Sequence, residues 1–203
     1  MLVLVAVLLA AAVYVTTSLT NGHQTDAGIG PSSAAPPITS EETTPGSTGI
    51  DRTSSDESLR QATEIDALLG DSGQARRALA TALDAVRACD GTGAEDIDRI
   101  TAQRRKQRDA AVRLKVGALD NGPELKSALV EALTASYDAD QAYLAWARRY
   151  LAGGCTGPVE TDYDYRRGGA HSGTARNSKI VFVALWRPVA AAHGFGDRNA
   201  DGI

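Results

Sequence analysis

Three groups of side chains in this 203-residue chain have types and spacings that could do chemistry. In the closing GDRNADGI, Asp197, Asn199 and Asp201 stand at positions one, three and five of an EF-hand-like loop, with Gly202 at the sharp turn. A complete loop also needs ligands at positions nine and twelve, and the sequence stops at seven. Three side-chain oxygens predict weak calcium binding at most, so no metal is assigned and the stretch is read as a polar tail with Ile203 tucked against the last helix. The second group is His171-Ser172 near Asp162 and Asp164, which has the residue types of a hydrolase. It lacks the Gly-x-Ser-x-Gly elbow, and a His and a Ser adjacent in sequence do not generally face each other. Tyr143, Trp146 and Tyr150, with Tyr163, Tyr165 and Trp186 expected close in space, form the third group. Aromatic rings with polar tips can line a groove, so Tyr143, Trp146, Tyr150 and Trp186 are the candidate ligand-groove residues; the competing reading is that they are the broad end of a core.

Other common catalytic signatures do not occur. There is no His-Glu-x-x-His, no Cys-x-x-Cys and no glycine-rich phosphate loop. A non-catalytic protein without a cofactor is therefore expected. The net charge of -4 and pI near 5.4 argue against a nucleic-acid partner. Arg104, Arg105, Lys106 and Arg108 form a basic run, but Glu95, Asp96, Asp98 and Asp109 dilute it into an ordinary solvated face. Arg104 is the exception: the helical stripe through residues 97, 100, 104, 107, 111 and 114 turns it and Gln107 inward, where Asp84 or Asp140 could neutralise it.

The elements that must position these groups are helical. Aromatic residues make up only 5% of the chain and alanine is abundant, which favours helices packed through small side chains. Residues 2–19 carry no charge, and as a helix of roughly 27 Å they could span a bilayer with slight thinning. The first basic residue is Arg52, so an uncleaved anchor is preferred to a cleaved secretory signal. Both place the rest of the chain outside the cytoplasm: a single-pass membrane protein, or alternatively a secreted one. Residues 20–54, rich in Ser, Thr, Gly and Pro, read as a disordered linker. Residues 55–203 read as an all-α antiparallel bundle of four to five helices.

The first helix is predicted from a Ser54/Glu57 capping box through Leu59, Ala62, Ile65 and Leu69. A second is predicted from Asp71 or Ser72 to Cys89, and a third from about residue 95 to 119. Asp120-Asn121-Gly122-Pro123 marks a turn into a fourth, which stops at Gly153-Gly154. After a polar loop, the fifth runs from about residue 175 to 193 and contains Pro188. Short connections force antiparallel neighbours, so Cys89 and Cys155 arrive at the same end of the bundle, and a disulfide between them suits an oxidising compartment.

The segments LLGDSGQARRALATALDAVRAC, SYDADQAYLAWA and KIVFVALWRPVAAAHGFGDRNADGI resemble an uncharacterised exported or membrane-anchored helical domain of actinobacteria. That resemblance covers roughly residues 65–203 in patches and implies a helical fold and an exported location, but no activity. The expected role is interaction at the cell surface, with an envelope or protein partner. Small-ligand binding or sensing at the aromatic end is the alternative.

Overall fold

The computed structural model describes residues 48–203, with side chains from Arg52 onward. The expected membrane segment, residues 2–19, and the expected linker up to residue 47 lie outside the described residues. Among the described residues no helix is long and apolar enough to cross a membrane, and no strand occurs. The fold is a four-helix bundle: α1 (Thr48–Arg87), α2 (Thr92–Arg113), α3 (Gly122–Ala152) and α4 (Tyr163–His193), with a 3-10 turn at Val159–Thr161.

The count of four falls within the expected four to five, and the difference from the five segments read along the sequence is that the first two are one helix. Helix α1 continues through Gly70-Asp71-Ser72-Gly73, where sequence propensity favours a break. Tertiary contacts outweigh that preference: Ser72 is buried and receives Arg104, and Gly73 is where the C-terminal tail packs. The capping box is also replaced, since α1 is already helical at Ser54, and Glu57 instead accepts from Arg60 and Gln61.

Helix α2 stops at Arg113, earlier than the expected residue 119. Leu114, Val116 and Leu119 are buried, but as a loop that doubles back. Its polar groups are satisfied locally: Lys126 Nζ donates to the Leu114 carbonyl at 2.9 Å, and the Ala118 amide donates to Gln61 Oε1 at 3.0 Å. Asn121 takes the left-handed conformation at φ 52°, and Gly122 lies so close to Val116 that a Cβ would overlap its carbonyl.

Helix α4 begins at Tyr163, a dozen residues before the expected start. The Asp162 carboxylate caps it, accepting from the amides of Asp164 and Tyr165 at 2.8 and 3.1 Å. The glycine-containing stretch read as a loop is helical, and Gly168 is required there: a Cβ would stand 2.6 Å from the Tyr143 ring.

Two apolar clusters fill the bundle. One holds Ile65, Leu69, Leu125, Leu129, Phe182 and Trp186; the other holds Ala82, Val86, Ile97, Ile100 and Trp146. Each fully buried Leu or Ile contributes about 1.5–3 kcal/mol. At intermediate positions along the helices lies a buried polar layer of Ser72, Arg104, Gln107, Ser136, Asp140 and Lys179.

Cys89 and Cys155 form the expected disulfide, with Cα atoms 5.8 Å apart and 66 positions of sequence between them. Both lie just beyond helix ends in left-handed backbone, at φ 62° and 59°. The Cys89 and Cys155 amides close those ends by donating to the Val86 and Tyr150 carbonyls.

Candidate functional site

Successive helices pack in order, α1 on α2, α2 on α3, and α3 most extensively on α4, whereas α1 and α4 touch sparsely. The resulting seam is closed by the tail beyond α4. Ser58 Oγ and His193 Nε2 lie 2.7 Å apart at one end of the seam. Further along, Arg198 pairs with Asp66 at 2.7 Å, Gly202 packs on Gly73, and Arg76 pairs with Asp201 at 3.1 Å. Lys179 of α4 donates to the main-chain carboxylate oxygen of Ile203, and Ile203 itself is buried in the larger apolar cluster.

A cavity of about 280 Å³ opens beside this closure. Arg76 comes from α1, Arg104 from α2, Asp140 from α3, and Ser172, Arg176 and Lys179 from α4. Arg104 and Asp140 are 2% and 1% exposed, so they form its floor; Arg76 and Arg176 lie at its mouth. Arg104 Nε reaches Asp140 at 3.4 Å, while Nη1 donates to Ser72 Oγ at 2.8 Å and to Gln107 Oε1 at 3.1 Å. Of the two acids expected for Arg104, the structure selects Asp140. Asp84 is exposed and pairs with Arg87.

Burial shapes the electrostatics of this floor. It pushes the Asp140 carboxyl up to about 6, against the pull of Arg104 and Lys179. It also pulls the Lys179 ammonium down to about 7, an effect reinforced by the charges of Arg104 and Arg76 and opposed by Asp140 and Asp201. Burial lowers Arg104 too, and Asp140 offsets part of that.

The aromatic residues divide between the two apolar clusters. Tyr143 and Tyr165 meet edge-on at 5.5 Å, Trp146 and Tyr165 at 4.9 Å, and Trp146 stacks on Tyr150 at 5.5 Å. Trp186, grouped with these on sequence grounds, instead stacks with Phe182 at 6.2 Å and meets Phe195 at 5.8 Å in the other cluster. The two helices cross so that residues 143–150 of α3 face the start of α4, which places Tyr165 there and carries Trp186 toward the opposite end. Tyr163 is exposed. Trp146 and Tyr150 do border a groove of about 320 Å³ with Arg149, Pro158 and Asp162, although Trp146 is itself 1% exposed.

Most of the remaining candidates have structural partners, while Asp197 is exposed. Asp201 pairs with Arg76 and, at 3.6 Å, with Arg176. Asn199 Oδ1 accepts from the Asp201 and Gly202 amides at 3.1 and 2.7 Å. Among the described residues no group of three or more His, Cys, Asp or Glu side chains is placed to hold a metal ion. Asp162 and Asp164 both bind Arg149, and Ser172 Oγ lies 3.4 Å from the Tyr143 hydroxyl.

Sequence reasoning singled out Arg104 and Asp140 and missed Arg76, Arg176 and Lys179. Lys179 had a readable signal: it falls on the inward stripe Ala175, Lys179, Phe182, Trp186, Val189, all of them buried. Arg76 and Arg176 had none, because only the tail's return path brings them together. The chain matches no protein-family model, no curated protein and no solved structure.

Proposed function

We propose that the chain is a non-catalytic, extracytoplasmic binding module: residues 2–19 hold it at the membrane, the linker spaces it outward, and the bundle takes a small polar ligand in the seam cavity. This keeps the location implied by the resemblance to exported actinobacterial domains and moves the binding site from the aromatic end to the polar layer. The cavity carries the reading. Four cationic side chains converge on it, and of the two that are buried Arg104 is paired with Asp140 whereas Lys179 has no carboxylate side chain of its own, although most buried charges in proteins occur as closed pairs. At about 280 Å³ it lies near the lower edge of the usual range for ligand pockets, so the ligand is compact.

An envelope or protein partner is the second reading. Adjacent exposed apolar side chains on α4, Ile180 and Val181, favour it.

Gly173 supplies the test. It lines the cavity, and a Cβ there meets nothing within 4 Å. Thermal unfolding of the full chain against a panel of small polar compounds should give a saturable rise in Tm for the wild type. Gly173→Leu should fold normally and lose that response. Equal responses from both proteins would remove the cavity from the function.

A further inference from the structure

The cavity's charges do not balance, and the imbalance points to its occupant. Arg76, Arg104, Arg176 and Lys179 supply four positive charges, against the carboxylate side chains of Asp140 on the wall and Asp201 at the mouth and the main-chain carboxylate oxygen of Ile203 that Lys179 contacts. The cations project from three helices and a serine hydroxyl joins them from α4. Donors arriving from several directions suit a tetrahedral anion better than a planar carboxylate, which is satisfied by two parallel bonds. Arg104 Nη2 has no hydrogen-bond partner among the described residues, and Lys179 Nζ uses one of its three donors, on the main-chain carboxylate oxygen of Ile203.

Resting on the small-ligand reading above, we propose that the seam cavity binds a compact phosphate dianion, free or as a small monoester, and that Asp201 of the tail is its built-in competitor. Asp201 holds Arg76 at 3.1 Å and Arg176 at 3.6 Å, the two cations an entering anion meets first. The Arg76 hydrogen bond is the main cause that keeps the Asp201 carboxyl below its usual range, so the competitor stays charged. An arriving phosphate takes over Arg76 and Arg176, frees Asp201 to solvent, and reaches Lys179 and Arg104 beneath. Arg76 also donates to the Ala200 carbonyl at 3.2 Å, so anion binding loosens the tail where it crosses the mouth.

The charged groups facing Lys179 are Arg76 from α1, Arg104 from α2, Asp140 from α3, and from the tail Asp201 and the main-chain carboxylate oxygen of Ile203. Phosphate affinity therefore falls as the pH rises above neutrality and the Lys179 ammonium is lost.

The experiment is calorimetric titration of the full chain in non-ionic detergent with inorganic phosphate, glycerol phosphate, succinate and chloride at one fixed ionic strength. Inorganic phosphate or glycerol phosphate should bind saturably, with the tighter of the two identifying free anion or ester. Asp201→Asn should tighten phosphate about threefold, the scale of an exposed ion pair, and Gly173→Leu should abolish binding. Succinate binding with no phosphate binding, sensitive to Gly173→Leu, would overturn the phosphate assignment and leave the small-ligand reading standing. Silence from every anion would overturn the phosphate proposal, while the compound panel decides the broader reading separately. Phosphate binding unchanged by Asp201→Asn would overturn the tail's part.

Discussion

Gly73 of α1 and Gly202 of the tail meet backbone to backbone: a Cβ on Gly73 would overlap the Gly202 carbonyl oxygen. The contact fixes where the tail crosses α1, and Arg76 and Lys179 reach their tail partners from that crossing point.

Gly73→Ala should therefore destabilise the domain by about 1–3 kcal/mol despite alanine's better helix propensity, because the tail must shift. Gly173→Ala, also within a helix but facing open space, should be neutral or stabilise by up to about 1 kcal/mol. Urea midpoints of the two variants measure the contrast. Equal and stabilising shifts would mean that the tail does not seat on Gly73.

The Cys89–Cys155 bridge ties the end of α1 to the end of α3 across 66 positions of sequence. In the chain-entropy model such a loop contributes about 4 kcal/mol. Reduction, or Cys89→Ala with Cys155→Ala, should lower Tm by about 10 °C in a domain of this size. An unchanged Tm would show that the helix ends are held by packing alone.

Asp140 sets an unusual pH dependence. Its carboxyl is raised by burial from 3.8 to about 6 in the folded chain. A raised pKa means that the folded state binds the proton more tightly than the unfolded state, so ionisation costs stability. The penalty is complete above about 6 and relieved as the pH falls toward 3.8. The wild type should gain stability relative to Asp140→Asn across that window, by up to about 3 kcal/mol. Lys179 acts in the opposite sense. Its pKa is lowered, so its penalty is complete below about 7 and fades as the pH rises toward 10.5. Chemical denaturation of the two proteins at several pH values checks the Asp140 effect, and a wild type that loses ground on acidification would reverse the assignment.

Most of the bundle was legible in the residues, and its departures have physical causes. Inward stripes and short connections place α3, the antiparallel order and the cysteine pairing, since all three depend on local periodicity. The merger of the first two helices was hidden because Gly70-Asp71-Ser72-Gly73 is a local breaker held helical by distant partners, Arg104 and the tail. The early start of α4 was hidden by Gly168 and Gly169, although Asp162 before Tyr163 was an available cap signal. The polar layer was half visible. Arg104 and Asp140 follow from helix phase, while Arg76 and Arg176 meet only through a tail whose path no periodicity describes.

The seam between α1 and α4 is stitched by pairs separated by up to 135 positions: Ser58 with His193, Asp66 with Arg198, Arg76 with Asp201. A chain made from its amino end delivers the α1 side of every stitch well before the other. Loop closure over such spans is slow relative to local helix formation. The three-helix portion is thus expected to collapse first, leaving the α1 edge open to proteases and to neighbouring chains until residues 198–203 emerge to cover it.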